Sequence, residues 1–242
     1  MIKFNGRQIL KNGWGINYTE PPAPPAPADM DFIYLAKNFN GTYIPNSAAG
    51  STFGDYEANG TLTVNDSGAS CYLSNGLNEY NYLYKTLTSD QLGNIKALNN
   101  TYTWFIRMMQ IGDYSGTCGG IMSTRADGGG YNYMIRCENN QLQFHGDYGT
   151  NLGSDFMLNV DRVYKVQVSR NSVVVKNLDT GVTSTLSTDS YRDDMGTKMT
   201  TFSAGFWGEY SLDRFYGFAG IPRATTDAED EAIKECLMNQ SL

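Results

Sequence analysis

The chain has 242 residues, 18 Lys and Arg against 25 Asp and Glu, a formal charge of −7, and a single histidine. Hydrophobic residues at 40% suffice for a core and exclude wholesale disorder. The acidic balance, with no Lys/Arg cluster, argues against electrostatic binding to nucleic acid or to an anionic membrane. Only 18% of residues are charged, against 26 Gly and 17 Tyr, which is the palette of β-strands joined by polar turns.

The first twenty residues carry Ile2, Phe4, Ile9, Leu10, Trp14 and Ile16. They hold no apolar run long enough for a signal-peptide core, and with Met1 in place the reading is assembly in a cytoplasm. Nowhere does the chain approach the roughly 18 apolar residues of a membrane span. An arm this short falls below the size, about 40 residues, at which chains fold without staples. Its apolar residues are therefore expected to dock on the main domain or on a partner. Residues 21–28, PPAPPAPA, hold five of the seven prolines and predict a semi-rigid polyproline II spacer. Residues 29–242 form the remaining domain.

From there the punctuation is that of antiparallel sheet. A first strand is expected at Phe32–Leu35, and Thr88-Ser89-Asp90-Gln91 matches a capping box for a short helix near 89–97. Residues 101–111 predict a long strand with Tyr102, Trp104, Ile106 and Met108 on one face. Residues 119–124 and 131–137 flank the turn Asp127-Gly128-Gly129-Gly130 as a hairpin. Further strands are expected at 141–146, 163–169, 172–178, 182–186, 200–206 and 212–220. Turn signals about ten residues apart are the mark of a two-sheet sandwich. Trp104, Ile106, Val166, Val168 and Phe215 are its expected core. Thr226-Asp227-Ala228-Glu229 is a second capping box, and Ile233, Cys236 and Leu237 then fall on one helical face.

Three stretches carry a family resemblance. Asp55-Tyr56-Glu57-Ala58-Asn59-Gly60-Thr61 resembles a D-x-x-x-N-G-T segment, and Tyr102-Thr103-Trp104-Phe105-Ile106-Arg107 resembles an F-T-I-x-x-W-V strand. Phe215 through Glu229 resembles a closure in which strand, Arg-Ala, capping box and helix follow in order. Together they resemble the concanavalin A-like lectin/glucanase superfamily, and in particular its laminin G-like domains. The resemblance implies an all-β, two-sheet antiparallel jelly-roll sandwich with a C-terminal helix and an N-terminal arm.

Function has to be argued from the site, because this fold hosts many functions. A retaining glycosidase needs two carboxylates about 5–5.5 Å apart, and the superfamily's Glu-x-Asp-x-(x)-Glu strand is absent here. The dense acidic run Asp227, Glu229, Asp230 and Glu231, with Glu235, lies on the terminal helix, where it complements the helix dipole and solvates a face. Each of those four substitutions is expected to cost about 1 kcal/mol or less. His145 alternates with Phe144 on a strand's polar face, and a nucleophilic triad through it is disfavoured. No catalytic residue is assigned, and the chain is read as non-enzymatic.

Glycan recognition pairs aromatic rings with nearby carboxylates and glycines in loops. Tyr114, Asp147, Tyr148, Trp207 and Tyr210 have that setting, and chance placement among 17 tyrosines is the competing reading. The laminin G-like resemblance makes calcium a candidate ligand, through Asp55, Glu57 and Asn59 with Asp147 or Asp155; ordinary Asx turns are the alternative. No cofactor is required. Cys71, Cys118, Cys137 and Cys236 show no zinc spacing. Cys118 and Cys137 flank the glycine turn, and free thiols are expected in a protein made in a cytoplasm.

An apolar arm, a proline-rich spacer and a lectin-like sandwich together look like phage virion structural proteins of the head or tail surface. That resemblance implies a virion location and anchoring to other virion proteins through residues 1–20. It also implies an exposed domain for host attachment that binds host glycans, with multicopy or homo-oligomeric assembly. A bacterial glycan-binding adhesion module and a diverged glycoside hydrolase are the alternatives.

Overall fold

The computed structural model describes residues 2–4, 7–12, 15–17, 25–67, 70–74, 81–109, 118–125, 131–138, 141–144, 150–151, 159–187, 196–201 and 214–242. Strands β1 (Ile2–Phe4), β2 (Arg7–Asn12) and β3 (Gly15–Asn17) make a three-stranded antiparallel sheet of their own. Its register sets Ile2 opposite Ile9 and Lys11 opposite Ile16. Trp14 lies outside the described residues. Among the described residues the arm is a small meander that pairs with neither sheet of the main domain.

The sandwich has two eight-stranded sheets. The first contains β4 (Phe32–Leu35), β7 (Thr63–Ser67), β8 (Ser70–Ser74), β10 (Tyr102–Met109), β15 (Arg162–Ser169), β16 (Ser172–Asn177), β17 (Thr183–Ser187) and β19 (Arg214–Ile221). Its order is β17-β16-β15-β10-β19-β8-β7, with β4 also on β19. The second sheet contains β5 (Tyr43–Ile44), β6 (Tyr56–Asn59), β9 (Tyr82–Thr86), β11 (Cys118–Arg125), β12 (Tyr131–Glu138), β13 (Gln141–Phe144), β14 (Thr150–Asn151) and β18 (Lys198–Thr201). It runs β14-β13-β12-β11-β18-β9-β6-β5. All pairings are antiparallel, as the jelly-roll expectation requires.

Strand β10 shows why this sheet lies in the middle of the molecule. Tyr102, Trp104, Ile106 and Met108 face the inter-sheet core, while Phe105 joins a second cluster on the outer face. A strand buried on both faces reads as a continuous apolar run rather than an alternation. All five expected core residues are buried, none more than 3% exposed.

The two capping boxes form as expected. Thr88 caps α1 (Ser89–Lys96) and Thr226 caps α2 (Asp227–Asn239), each with its reciprocal Gln91 or Glu229 bond. Helix α2 lies on the outer face of the first sheet, burying Ile233, Cys236 and Leu237 against Ile33, Leu35, Phe105, Ala219 and Ile221. Gly217 makes this approach feasible, since a Cβ there would stand 2.8 Å from Leu237 Cδ2. Ala26 packs against the same cluster, so the end of the proline-rich segment lies on the sandwich.

The acidic run of α2 needs one correction. Asp227 is open to solvent, but Asp230 is only 3% exposed, because its turn of the helix faces the sheet. There it accepts from Lys165 Nζ at 2.9 Å and from the Thr225 hydroxyl at 2.6 Å. Asp230→Asn, which keeps the shape but leaves Lys165 without its counter-charge, is expected to cost about 1–3 kcal/mol in urea unfolding. A loss below half a kcal/mol would show the pair to be inert.

The cysteines that flank the glycine turn lie on neighbouring strands, β11 and β12. Cys118 stands opposite Glu138, and Cys137 opposite Gly119, so the two are one register step apart rather than facing. Strands β7 to β9 were not anticipated individually; their short polar alternations (TVNDS, SCYLS) carry little apolar signal.

Candidate functional site

The residues expected to bind a glycan, Tyr114, Asp147, Tyr148, Trp207 and Tyr210, lie outside the described residues, as do His145 and Asp155. The described residues that flank their segments are informative. Residues 110–117 leave β10 after Met109, and residues 202–213 enter β19 at Arg214. Met109 and Arg214 stand opposite each other, with Ser74 beside Arg214 and Arg162 beside Met108. The described strand ends that bound residues 110–117 and 202–213, Met109 and Arg214, are thus side by side.

The three expected calcium ligands lie along one stretch with separate bonding. Asp55 accepts the Asn46 amide N–H at 3.2 Å, in a corner where Asn46 also bonds Asp31 and Ser51. Glu57 accepts the Tyr84 hydroxyl at 2.6 Å. Glu57 and Asn59 share one face of β6, opposite Tyr84 and Tyr82. Among the described residues no three His, Cys, Asp or Glu side chains converge as a metal site.

Three acids of α2, Asp227, Glu229 and Asp230, are paired with cations. The Arg223 guanidinium holds Glu229 down at about 2, and it depresses Asp29 as well. Lys176 does the same for Asp227. Burial raises Asp31 above the usual carboxylate range, against the opposing bond from Tyr102 Oη at 2.9 Å.

The described surface with recognition chemistry is the outer face of the second sheet. Tyr56, Leu83 and Met199 point into the core. Period-two alternation then turns Tyr43, Glu57, Asn59, Tyr82, Tyr84 and Lys198 to the opposite face. Register sets Tyr43, Glu57 and Tyr84 in one row and Asn59 beside Tyr82 in the next. The Tyr82 and Tyr84 rings lie 5.9 Å apart, tilted by 59°, and Lys198 Nζ stands 5.7 Å from the Tyr84 ring centre. The Glu57 carboxylate fixes the Tyr84 hydroxyl and pushes its acidity below that of an ordinary phenol. The result is an open platform of aromatic faces ringed by a carboxylate, an amide and an ammonium.

Sequence reading passed over Tyr43, Tyr82, Tyr84 and Lys198 and assigned Glu57 to a metal. A signal was present in Tyr80-Asn81-Tyr82-Leu83-Tyr84, where tyrosines recur with period two around a core leucine. It was hidden because the neighbouring strands that complete the row are distant in sequence.

No family model matches the chain, and no curated protein matches its sequence. Among solved structures it is similar to the Trypanosoma rangeli sialidase in complex with sialic acid. The TM-score is 0.61 at 10% identity, over 90% of this chain and 34% of that one. It is also similar to the binding domain of botulinum neurotoxin serotype D/C, with TM-score 0.61 at 10% identity, over 86% of this chain and 52% of the other. A further structure described as a receptor binding domain gives TM-score 0.61, 10% identity, and 87% and 51% coverage. The chain spans about a third to a half of these longer proteins. Likeness at this level shows the fold alone, a two-sheet antiparallel β-sandwich.

Proposed function

We propose that the chain is a non-hydrolytic recognition module that binds a glycan on the outer face of its second sheet. The observation that carries this reading is the Tyr82–Tyr84 platform, with Glu57, Asn59 and Lys198 placed around it to bond hydroxyls. Tyrosine supplies large rigid contact area at low entropic cost, which suits a flat, polar ligand. The binding domains among the similar structures support a binding role. Glycan-array screening followed by calorimetry tests the reading. Tyr84→Ala and Tyr82→Ala are each expected to weaken binding at least about tenfold, ~1.4 kcal/mol, with unfolding midpoints little changed. Binding that survives both substitutions, or turnover of a polysaccharide, overturns it.

A finer reading sets this module on a phage particle, anchored by the N-terminal meander. It is favoured by the separate sheet that β1, β2 and β3 form, since three short strands are too few to stand as an independent core. Deleting residues 1–24 is expected to leave sandwich unfolding unchanged and to abolish incorporation into particles, read by mass spectrometry of purified virions. Normal incorporation of the truncated chain refutes the anchor.

A further inference from the structure

The first sheet ends in β17 and β7 and the second in β14 and β5, with β4 beside β19 as a further edge. An open edge presents unpaired N–H and C=O groups, and proteins guard it by shortening, charging or covering it. Strands β5 and β14 are two residues each, and β7 carries Asp66. The outer side of β4 is taken: the Ile33 N–H donates to Asn46 Oδ1 at 3.0 Å, and the Ile33 carbonyl accepts from the Ser47 N–H at 2.9 Å. Strand β17, Thr183-Ser184-Thr185-Leu186-Ser187, has five residues and neither a charge nor a proline. Among the described residues no strand pairs with its outer side.

The register determines which groups that edge offers. The Asn177 N–H donates to the Val182 carbonyl at 2.9 Å, so these two bond across the turn of the β16–β17 hairpin. Bonded and non-bonded pairs alternate along an antiparallel ladder, so Val175–Ser184 and Val173–Leu186 also bond across it. Lys176–Thr183, Val174–Thr185 and Ser172–Ser187 are the pairs between, in which β17 turns its N–H and C=O groups outward. Thr183, Thr185 and Ser187 are all exposed, and Val182, 46% exposed, stands at the end of the same edge. These outward residues, spaced by two with Thr185 in the middle, match themselves. A copy laid antiparallel sets Thr185 on its own counterpart and Thr183 on the copy's Ser187. Each pair so formed exchanges both N–H···O bonds, and no charge meets its like.

We propose that β17 is the interface of a two-fold homodimer, in which the first sheets of two copies join edge to edge with Thr185 at the centre. A second copy is the occupant this edge selects, because an isologous contact needs a strand that complements itself. Each chain carries −7, and at β17 two such chains meet without opposing charges on the paired strands. The two-fold axis of an antiparallel pair runs perpendicular to the sheet, so both copies turn their second sheets to the same side. Two Tyr82–Tyr84 platforms then face one surface, where linked sites bind with an avidity that neither has alone. The dimer itself rests on β17 and stands without the glycan reading.

Sedimentation velocity of the full chain from micromolar to millimolar concentration tests the proposal. The chain is expected to pass from monomer to dimer and no further, since a two-fold contact closes on itself. Thr185→Pro removes an N–H that points away from β16, where an edge strand tolerates proline, and should weaken the dimer at least tenfold at an unchanged unfolding midpoint. Thr185→Lys and Thr185→Asp each set like charges opposite one another across the axis, and each alone should stay monomeric. An equimolar mixture of those two variants should pair. Amide hydrogen exchange read by NMR should slow with rising concentration at Thr183, Thr185 and Ser187 and stay constant at Ser184, which already bonds β16. A monomer throughout the range, a dimer that Thr185→Lys leaves intact, a mixture no tighter than its components, or exchange at Thr185 that ignores concentration each overturns the proposal.

Discussion

Replacing Trp104 with alanine is expected to cost about 3–5 kcal/mol of folding stability. Trp104 sits on the central strand of the first sheet, 1% exposed, opposite Val166 on one side and Gly220 on the other. Its ring lies 5.6 Å from Tyr102 within the inter-sheet core. Both flanking strands are paired along their length, so the backbone has little freedom to close the cavity. The cost should therefore lie toward the upper end of the range. For a chain of this size it corresponds to a fall in Tm of roughly 6–20 °C. Urea denaturation with an unchanged slope would report lost stability alone; a loss below about 1 kcal/mol would mean the core repacks around the gap.

Arg107→Ala is expected to cost a similar amount, about 3–5 kcal/mol, for an electrostatic reason. Arg107 ties three parts of the fold together. It bonds Asp161 at the start of β15, reaches the Leu237 and Met238 carbonyls at 2.9 Å each, and covers the Tyr216 ring. Those carbonyls lie in the last turn of α2, where helix ends are unsatisfied and carry partial negative charge. Removing the guanidinium strands Asp161 and both carbonyls at once. Hydrogen exchange should show the last turns of α2 losing protection before the strands do. Arg107→Lys should recover only part of the loss, since one ammonium cannot span a carboxylate and two carbonyls. Uniform protection of α2 in Arg107→Ala would show that apolar packing alone holds the helix.

These two positions divide what was legible from what was not. Trp104 was readable as core because Tyr102, Trp104, Ile106 and Met108 recur at every second position of one long apolar strand, as Val166 and Val168 do in theirs. The ends of both helices were readable from Thr88/Gln91 and Thr226/Glu229, three residues apart. Arg107 and Asp230 were opaque. Each carries a charge that local pattern assigns to solvent, and each is buried by an element far away in the chain: α2 over Arg107, β15 under Asp230.

The proposed binding surface was hidden for the same reason. Tyr84 acquires its meaning from Glu57 and Lys198, through pairings that join β9 to β6 and β18. The sequence by itself determined the strand-and-turn rhythm, the helix caps, the core residues and hence the sandwich class. All of these depend on chemistry between residues two to four positions apart. Only the tertiary structure decided that the helix lies on the outer face of the first sheet, that Asp230 is buried, and that tyrosines gather on the second sheet's open face. Those outcomes depend on which distant strands pair and in what register. A shift of one residue would have turned every one of those side chains to the other face.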